Sequence, residues 1–164
     1  MNGAHWHLVV NHLPIIFPIV GIIVMAKGLI SKSESDKRTA FMIFVFGALA
    51  AIASMASGEE AEEVVEKISG VSENFIKTHE ETAEIFAVLS YILGGISLLG
   101  LLASYKQKTF SSLISIGTLA FAFVVLFFGI QSGKSGGEIR HTEIRSGNNN
   151  PANENKKSKI GHED

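Results

Sequence analysis

Four long apolar runs constrain the fold of this chain more than any other feature. They extend over residues 8–30, 39–58, 83–104 and 110–132, and each is near the ~20 residues that an α-helix needs to cross ~30 Å of hydrocarbon. Lys27 is the only charge in the first run, close enough to its end to reach the interface. A soluble four-helix protein would carry a charged stripe along each helix. The pattern therefore predicts an all-α, four-helix transmembrane bundle.

The rest of the chain leaves little room for a separate soluble domain, because the runs and their connections take up most of its 164 residues. We expect one membrane bundle over residues 1–145. Residues 146–164 begin with asparagines and a proline, continue with lysines and contain almost no apolar residue. Such a composition is typical of disorder, so these residues are predicted to form a disordered C-terminal tail.

The connection between the second and third runs is predicted to be a helical extension outside the membrane. Its apolar residues recur at helical spacing as Ala61, Val64, Val65 and Ile68. We expect this helix to end near residues 69–70 and the next one to begin near Ser72, a suitable N-cap.

The distribution of charge indicates which way the bundle faces. The first connection carries Lys32, Lys37 and Arg38, and the third carries Lys106 and Lys108, whereas the second is rich in glutamate. Cytoplasmic loops carry the excess of lysine and arginine. We therefore expect a multi-pass protein of a bacterial inner membrane with both termini outside the cytoplasm.

Five of the six histidines fall on segments that four crossings place on the same side of the bilayer. An even number of crossings separates each group from the next, so the clustering holds in either orientation. An isolated histidine near lipid is costly, and several at one depth indicate a ligand or proton site. The five are His5, His7, His12, His79 and His141.

These histidines differ in their sequence context. His79 shares a helix face with apolar residues and is predicted to point into the bundle. His12 lies beside Pro14, which lacks a backbone N–H and is expected to kink the first helix or to start it. His5 and His7 flank the single tryptophan and are predicted to be interface anchors, so that His7→Ala would leave a bound cofactor in place.

Glycines and other small residues have two predicted roles. In the second and third runs, where Gly94 and Gly95 are adjacent, they are expected to let helices approach closely. After the fourth run, the three glycines of residues 133–137 are expected to permit a sharp reversal. Residues 139–144 would then fold back over the mouth of the bundle and bring Arg140 and His141 to the site.

Several short motifs recur at the ends of the four spans. They are a histidine and a proline in the first span, a glycine and an acidic residue after the second, a histidine opening the third and Gly-Gly-x-x-x-His after the fourth: His12, Pro14, Gly58, Glu59, His79, Gly136, Gly137 and His141. This pattern resembles a bacterial four-span membrane family, domain of unknown function 2231, over residues 6–142. That family's architecture is similar to that of small membrane cytochromes with histidine-ligated haem.

Three functions remain open from the sequence. The first is electron transfer by a b-type haem bound by two of His12, His79 and His141, with Arg140 in reach, since imidazoles from facing helices supply two axial ligands. Redox proteins or a second copy of the chain would be its partners. The second is a zinc or copper site in which glutamates join the same histidines, as imidazole with carboxylate suits those ions; the glutamates include Glu59 and Glu80. The third is a cofactor-free partner subunit whose histidines pack polar helix ends or sense pH as they charge below about pH 6.5.

Other classes of function lack their signatures in this sequence. No hydrolytic triad, phosphate loop, nucleotide fingerprint or basic stripe for nucleic acid is present. No ionisable residue lies near the middle of a span, which disfavours a transporter. We therefore expect no independent catalytic activity, and the haem hypothesis is favoured.

Overall fold

The computed structural model describes residues 3–68, 71–106, 108–141 and 144–145. Over this part the chain forms five helices: α1 (Gly3–Val10), α2 (Leu13–Ile30), α3 (Glu34–Val65), α4 (Glu73–Lys106) and α5 (Lys108–Arg140). Four segments are long and apolar enough to cross a membrane, with α1 and α2 together forming the first. The predicted all-α transmembrane bundle is confirmed, while the predicted tail, residues 146–164, lies outside the described residues.

The first span is a broken helix. Asn11 and His12 separate α1 from α2, and Pro14 lies in the first turn of α2, where its missing N–H removes no helical bond. Ile16 N–H donates to the carbonyl of His12 at 3.0 Å, so the second segment starts afresh at that residue. The break predicted from Pro14 is confirmed.

Both segments of the first span run antiparallel to α3. Gly28 lies against Lys37, Gly21 against Phe44 and Gly3 against Glu60. Residues nearer the start of the first span therefore contact residues nearer the end of α3. In this register α1 packs along the part of α3 that continues beyond the apolar run of α3. α1 therefore forms a wall at that end of the bundle.

The predicted helical extension is present. α3 continues to Val65 and α4 starts at Glu73, as expected from Ser72. Residues 66–68 follow α3 in a turn, so the helix is shorter than its apolar spacing predicted, and residues 69–70 lie outside the described part of the chain.

Helices α4 and α5 form a tight antiparallel pair. Gly100 contacts Ile114, Phe86 contacts Gly129, and His79 lies beside Ser135 and Gly136. The centre of the bundle is filled by Met25, Phe41, Phe44, Leu93 and Val125, all at most 1% exposed. Many other large apolar side chains are exposed on the outside, as expected for helices that face lipid.

The glycines after the fourth run do not reverse the chain, so that prediction is wrong. α5 passes through all three as a continuous helix and ends at Arg140. Two of them are needed for packing instead: a Cβ at Gly136 would lie 3.0 Å from His79 Cε1, and one at Gly137 would lie 3.1 Å from Ile144 Cδ1. The small size of these residues therefore matters more than their freedom to turn.

The end of α5 is held by Arg145, which the sequence did not single out. Its guanidinium donates to the carbonyls of Glu138 at 2.7 Å and Ile139 at 2.9 Å, which the helix itself leaves without partners. The same group lies 4.3 Å from the centre of the Phe75 ring on α4. A single buried cation thus caps α5 and ties it to α4.

At the opposite end of the bundle, which we call the basic end (residues 27–38 and 104–112), charges are paired inside the protein. Lys37 is 2% exposed and forms an ion pair with Glu34, and its Nζ donates to Ser112 Oγ at 3.0 Å. Arg38 donates to the carbonyl of Ser104 at 2.8 Å. The first turn of α3 is capped by Ser33, whose hydroxyl accepts from Asp36 N at 3.2 Å.

Candidate functional site

A cavity of about 610 Å³ opens at the end of the bundle opposite the basic end. It lies between α1, α3, α4 and α5, with the start of α2 below it. On the side nearest the centre of the bundle its lining is apolar and includes Pro14, Ile15, Ala51, Phe86 and Ala87, whereas imidazoles, carboxylates and a guanidinium line it nearer the helix ends. An apolar pocket with a few convergent polar groups is the usual form of a small-molecule or cofactor site.

All the site residues predicted from the sequence line this cavity: His12, His79, His141, Arg140, Glu59 and Glu80. They are not equally enclosed. His79 is half-buried, whereas the other five are exposed at the rim. Within the described part of the chain His5 is not among the lining residues, in keeping with a position at the interface.

His7 also lines the cavity, although the sequence predicted an interface anchor. Its Nδ1 lies 3.2 Å from the carbonyl oxygen of Ser54 and 3.2 Å from Ser57 Oγ, both on α3. A carbonyl oxygen only accepts, so Nδ1 carries the proton and donates. Because the neighbouring Ser57 hydroxyl donates to the same carbonyl at 3.0 Å, that oxygen is firmly placed.

The antiparallel packing of α1 on α3 is the reason for this difference. It turns His7 towards α3, where the ring lies beside Gly58: a Cβ at this position would lie 3.7 Å from His7 Cε1, an ordinary contact distance. One signal in the sequence could have shown this. His7 and Asn11 are four residues apart, so they lie on the same face of the first span. Both line the cavity.

His79 is held from the other side of the cavity. Its Nδ1 lies 3.1 Å from Ser135 Oγ on α5, and Ser135 Oγ lies 2.7 Å from Thr82 Oγ1 on α4. Gly136 makes room for the ring, as shown by the short distance that a Cβ would have there. The carbonyl of Ser132 is a further acceptor near the ring. Nδ1 of His79, like Nδ1 of His7, therefore has a hydroxyl oxygen and a main-chain carbonyl oxygen nearby.

The two rings belong to different walls and lie close enough for their charges to interact. Each uses Nδ1 to bond with the helix behind it. Among the described residues neither Nε2 has a hydrogen-bond partner. Nε2 is therefore the nitrogen of each ring that a group bound between the helices could use.

The carboxylates do not extend this pair into a larger cluster. Over the residues that the structure describes, no group of three histidine, aspartate or glutamate side chains is placed to hold a metal ion. Glu59 and Glu80 line the rim but do not join the histidines in such a group. The zinc or copper site stays a prediction from the sequence.

The helices and the cavity define a multi-pass integral membrane protein whose environment is a lipid bilayer, with a polar pocket at one end. No protein-family model, curated protein or solved structure matches this chain. The resemblance to the four-span family rests on the short motifs alone and stays a prediction.

Proposed function

We propose that the cavity binds a b-type haem, with His7 and His79 as its two axial ligands, and that the protein takes part in electron transfer. One observation carries the proposal: two imidazoles from different helices line one cavity, each bonds through Nδ1, and neither Nε2 has a hydrogen-bond partner among the described residues. His7 thereby replaces His12 and His141 in the ligand pair predicted from the sequence.

The number of protein ligands favours haem over a bare metal ion. A porphyrin supplies four nitrogen ligands, so the protein has to provide only two. Structural zinc needs four ligands and catalytic zinc three, which calls for a cluster of at least three side chains. The described residues offer the first arrangement and lack the second.

The composition of the cavity also suits a porphyrin. Its lining includes aliphatic and aromatic side chains that would cover an apolar ring, among them Ile76 and Phe86. Arg140 lies at the mouth, where its guanidinium would pair with carboxylates on the edge of the group. Bound haem supplies a reversible one-electron change at its iron, whose potential depends on its ligands and surroundings.

The chain's own contribution is to hold the two rings. A ligating histidine almost always donates its other N–H to a carbonyl, carboxylate or water, which fixes the tautomer and the ring plane. Ser54 has this role for His7, and Ser135 has it for His79. Both rings are thereby oriented before any group binds, which reduces the entropy cost of binding.

The test is an absorption spectrum of the protein purified in mild detergent, oxidised and then reduced with dithionite, followed by titration of the haem-free form with haem. Loss of either axial imidazole should weaken binding at least tenfold and abolish the sharp α and β bands of a six-coordinate iron, so we expect this for His7→Ala and for His79→Ala. His5→Ala is the matched control. It removes an imidazole from the same helix but outside the cavity, and it should bind as the wild type does.

Other results would contradict the proposal. Wild-type protein that acquires no Soret band on titration would exclude haem, and elemental analysis of the same sample would then separate two alternatives. Stoichiometric zinc or copper would indicate a metal site, and a metal-free protein would indicate a cofactor-free partner subunit. Equal haem retention in His79→Ala and His5→Ala would refute the ligand assignment even if the wild type binds.

A further inference from the structure

We infer that Ser135, oriented by Thr82, is the positioning residue for His79: it fixes the Nδ1–H tautomer and so directs the electron pair of Nε2 into the cavity. The use of this positioning rests on the proposed function, but the tautomer itself does not, because the ring has one whether or not a group is bound. It concerns a pair of hydroxyls that neither the sequence motifs nor the family resemblance includes.

The geometry joins three side chains from two helices. Ser135 reaches from α5 to lie between two residues of α4, with its Oγ 3.1 Å from His79 Nδ1 and 2.7 Å from Thr82 Oγ1. Ser135 is 7% exposed, so water has little access to compete for these bonds. A buried hydroxyl in this setting is held by the partners that it has.

The available protons and acceptors favour one direction of donation. Thr82 Oγ1 lies 3.1 Å from the carbonyl of Thr78 and 2.9 Å from that of His79, so its proton has main-chain acceptors within reach. Ser135 can then donate to Thr82 or to the carbonyl of Ser132, which is 2.9 Å away. When the Ser135 proton is given to either of these oxygens, and not to His79 Nδ1, a lone pair of Ser135 Oγ remains for the proton on that nitrogen.

Gly136 completes the arrangement. It follows Ser135 on α5, and a Cβ at this position would come within 3.0 Å of His79 Cε1 and 3.3 Å of Nδ1. The ring therefore lies against the backbone of α5, at the height where the serine hydroxyl meets it. A bulkier residue at position 136 would push the ring away from that hydroxyl.

The two histidines are held differently, and this gives Ser135 a specific effect. His7 donates to a main-chain carbonyl, which no side-chain substitution removes. The 3.1 Å bond of His79 Nδ1 is to a hydroxyl, a weaker acceptor whose strength depends on Thr82, and the carbonyl of Ser132 is a further acceptor near the ring. An acceptor at Nδ1 raises the basicity of the ligating nitrogen. Removing it should weaken the ligand and raise the reduction potential of a bound iron.

The direct test is histidine-selective ¹⁵N NMR of the protein without any cofactor. The shifts of the ring nitrogens show which one carries the proton, and the His79 signal is assigned by its disappearance in His79→Gln. We expect the Nδ1–H tautomer in the wild type. Ser135→Ala should increase the Nε2–H population, whereas Ser90→Ala, a buried serine of α4 that bonds only to its own helix, should leave His79 unchanged.

Thr82 separates the hydrogen-bond effect from the effect of volume. Thr82→Val keeps the shape and removes the hydroxyl, and should shift the tautomer in the same direction as Ser135→Ala, by less. Thr82→Ser restores the hydroxyl and should return the wild-type spectrum. A wild-type His79 in the Nε2–H form, or a tautomer that Ser135→Ala leaves unchanged, would overturn the inference.

Haem titration of the same variants distinguishes this inference from the proposed function. Loss of an outer hydrogen-bond partner of a ligating histidine typically lowers affinity 10–100-fold, so we expect a loss in that range for Ser135→Ala and none for Ser90→Ala. If the wild type binds no haem but the tautomer responds as expected, the proposed function fails and the positioning role stands. If the wild type binds haem and Ser135→Ala changes neither tautomer nor affinity, the positioning role alone fails.

Discussion

Gly94 and Gly95 are adjacent in α4, and the structure predicts that the same substitution has opposite effects at the two positions. A Cβ at Gly94 would lie 2.5 Å from the Cβ of Ala48 on α3, whereas a Cβ at Gly95 would meet no atom within 4 Å. Alanine is favoured over glycine inside a helix by about 1 kcal/mol. Gly95→Ala should gain roughly 0.5–1 kcal/mol of stability from this preference alone.

Gly94→Ala gains from the same helical preference, but its added methyl group also needs space that the packed helices do not leave. Ordinary carbon contacts begin near 3.4 Å, so α3 and α4 would have to separate by about 1 Å, and overpacking of this kind costs about 1–3 kcal/mol. The net effect is a destabilisation of about 1–2 kcal/mol after the helical gain is subtracted. Because the helical gain is common to both variants, they should differ by the overpacking cost alone, about 1–3 kcal/mol.

The assay is reversible unfolding in mixed micelles with increasing sodium dodecyl sulfate, followed by circular dichroism. Gly117→Ala in α5 is the control, since a Cβ there also meets nothing within 4 Å, and it should behave like Gly95→Ala. Gly94→Ala as stable as Gly95→Ala would refute the close contact of α3 with α4. A loss of stability in Gly95→Ala would show that this face packs against protein instead of lipid.

Three further substitutions test the site and the basic end. Gly136→Ala should lower haem affinity about tenfold or more in the same titration, because its Cβ would displace the ring of His79 by several tenths of an ångström; unchanged affinity would contradict the placement of the ring. Lys37→Met should destabilise the bundle in the micelle assay by about 1–3 kcal/mol, since it leaves Glu34 without its ion-pair partner. Adding Glu34→Gln should recover most of the loss, and no recovery would show that the two residues do not interact. Ser33→Ala should cost about 1 kcal/mol by removing the cap of α3, measured as a lower unfolding midpoint; an unchanged midpoint would argue against the cap.

Much of the candidate site follows from the sequence. The number of crossings places His12, His79 and His141 at one end, and all three line the cavity there. The sequence did not place His7 in the cavity, because its neighbours in the sequence are typical of an interface and its partners, Ser54 and Ser57, are about fifty residues away on α3. Contacts between helices of this kind leave no periodic pattern in either segment.

The glycines of α5 illustrate the same difficulty. Glycine permits a turn and also permits close packing, and the sequence does not distinguish these roles. His79 and Ile144 lie where side chains at Gly136 and Gly137 would otherwise be, and packing is therefore the role that applies. α5 ends after these glycines, at Arg140, where Arg145 provides partners for the carbonyls of Glu138 and Ile139.

By itself the sequence determined the four membrane crossings, the break at Pro14 and the helical extension. Hydropathy, the missing N–H of proline and helical periodicity act within one segment, so no distant partner is needed to predict them. Only the tertiary structure decided that His7 lines the cavity with His79, which glycines lie in close contacts and that Lys37 is buried beside Glu34. These depend on the register of one helix against another, which is set by the packing of side chains from segments far apart in the chain.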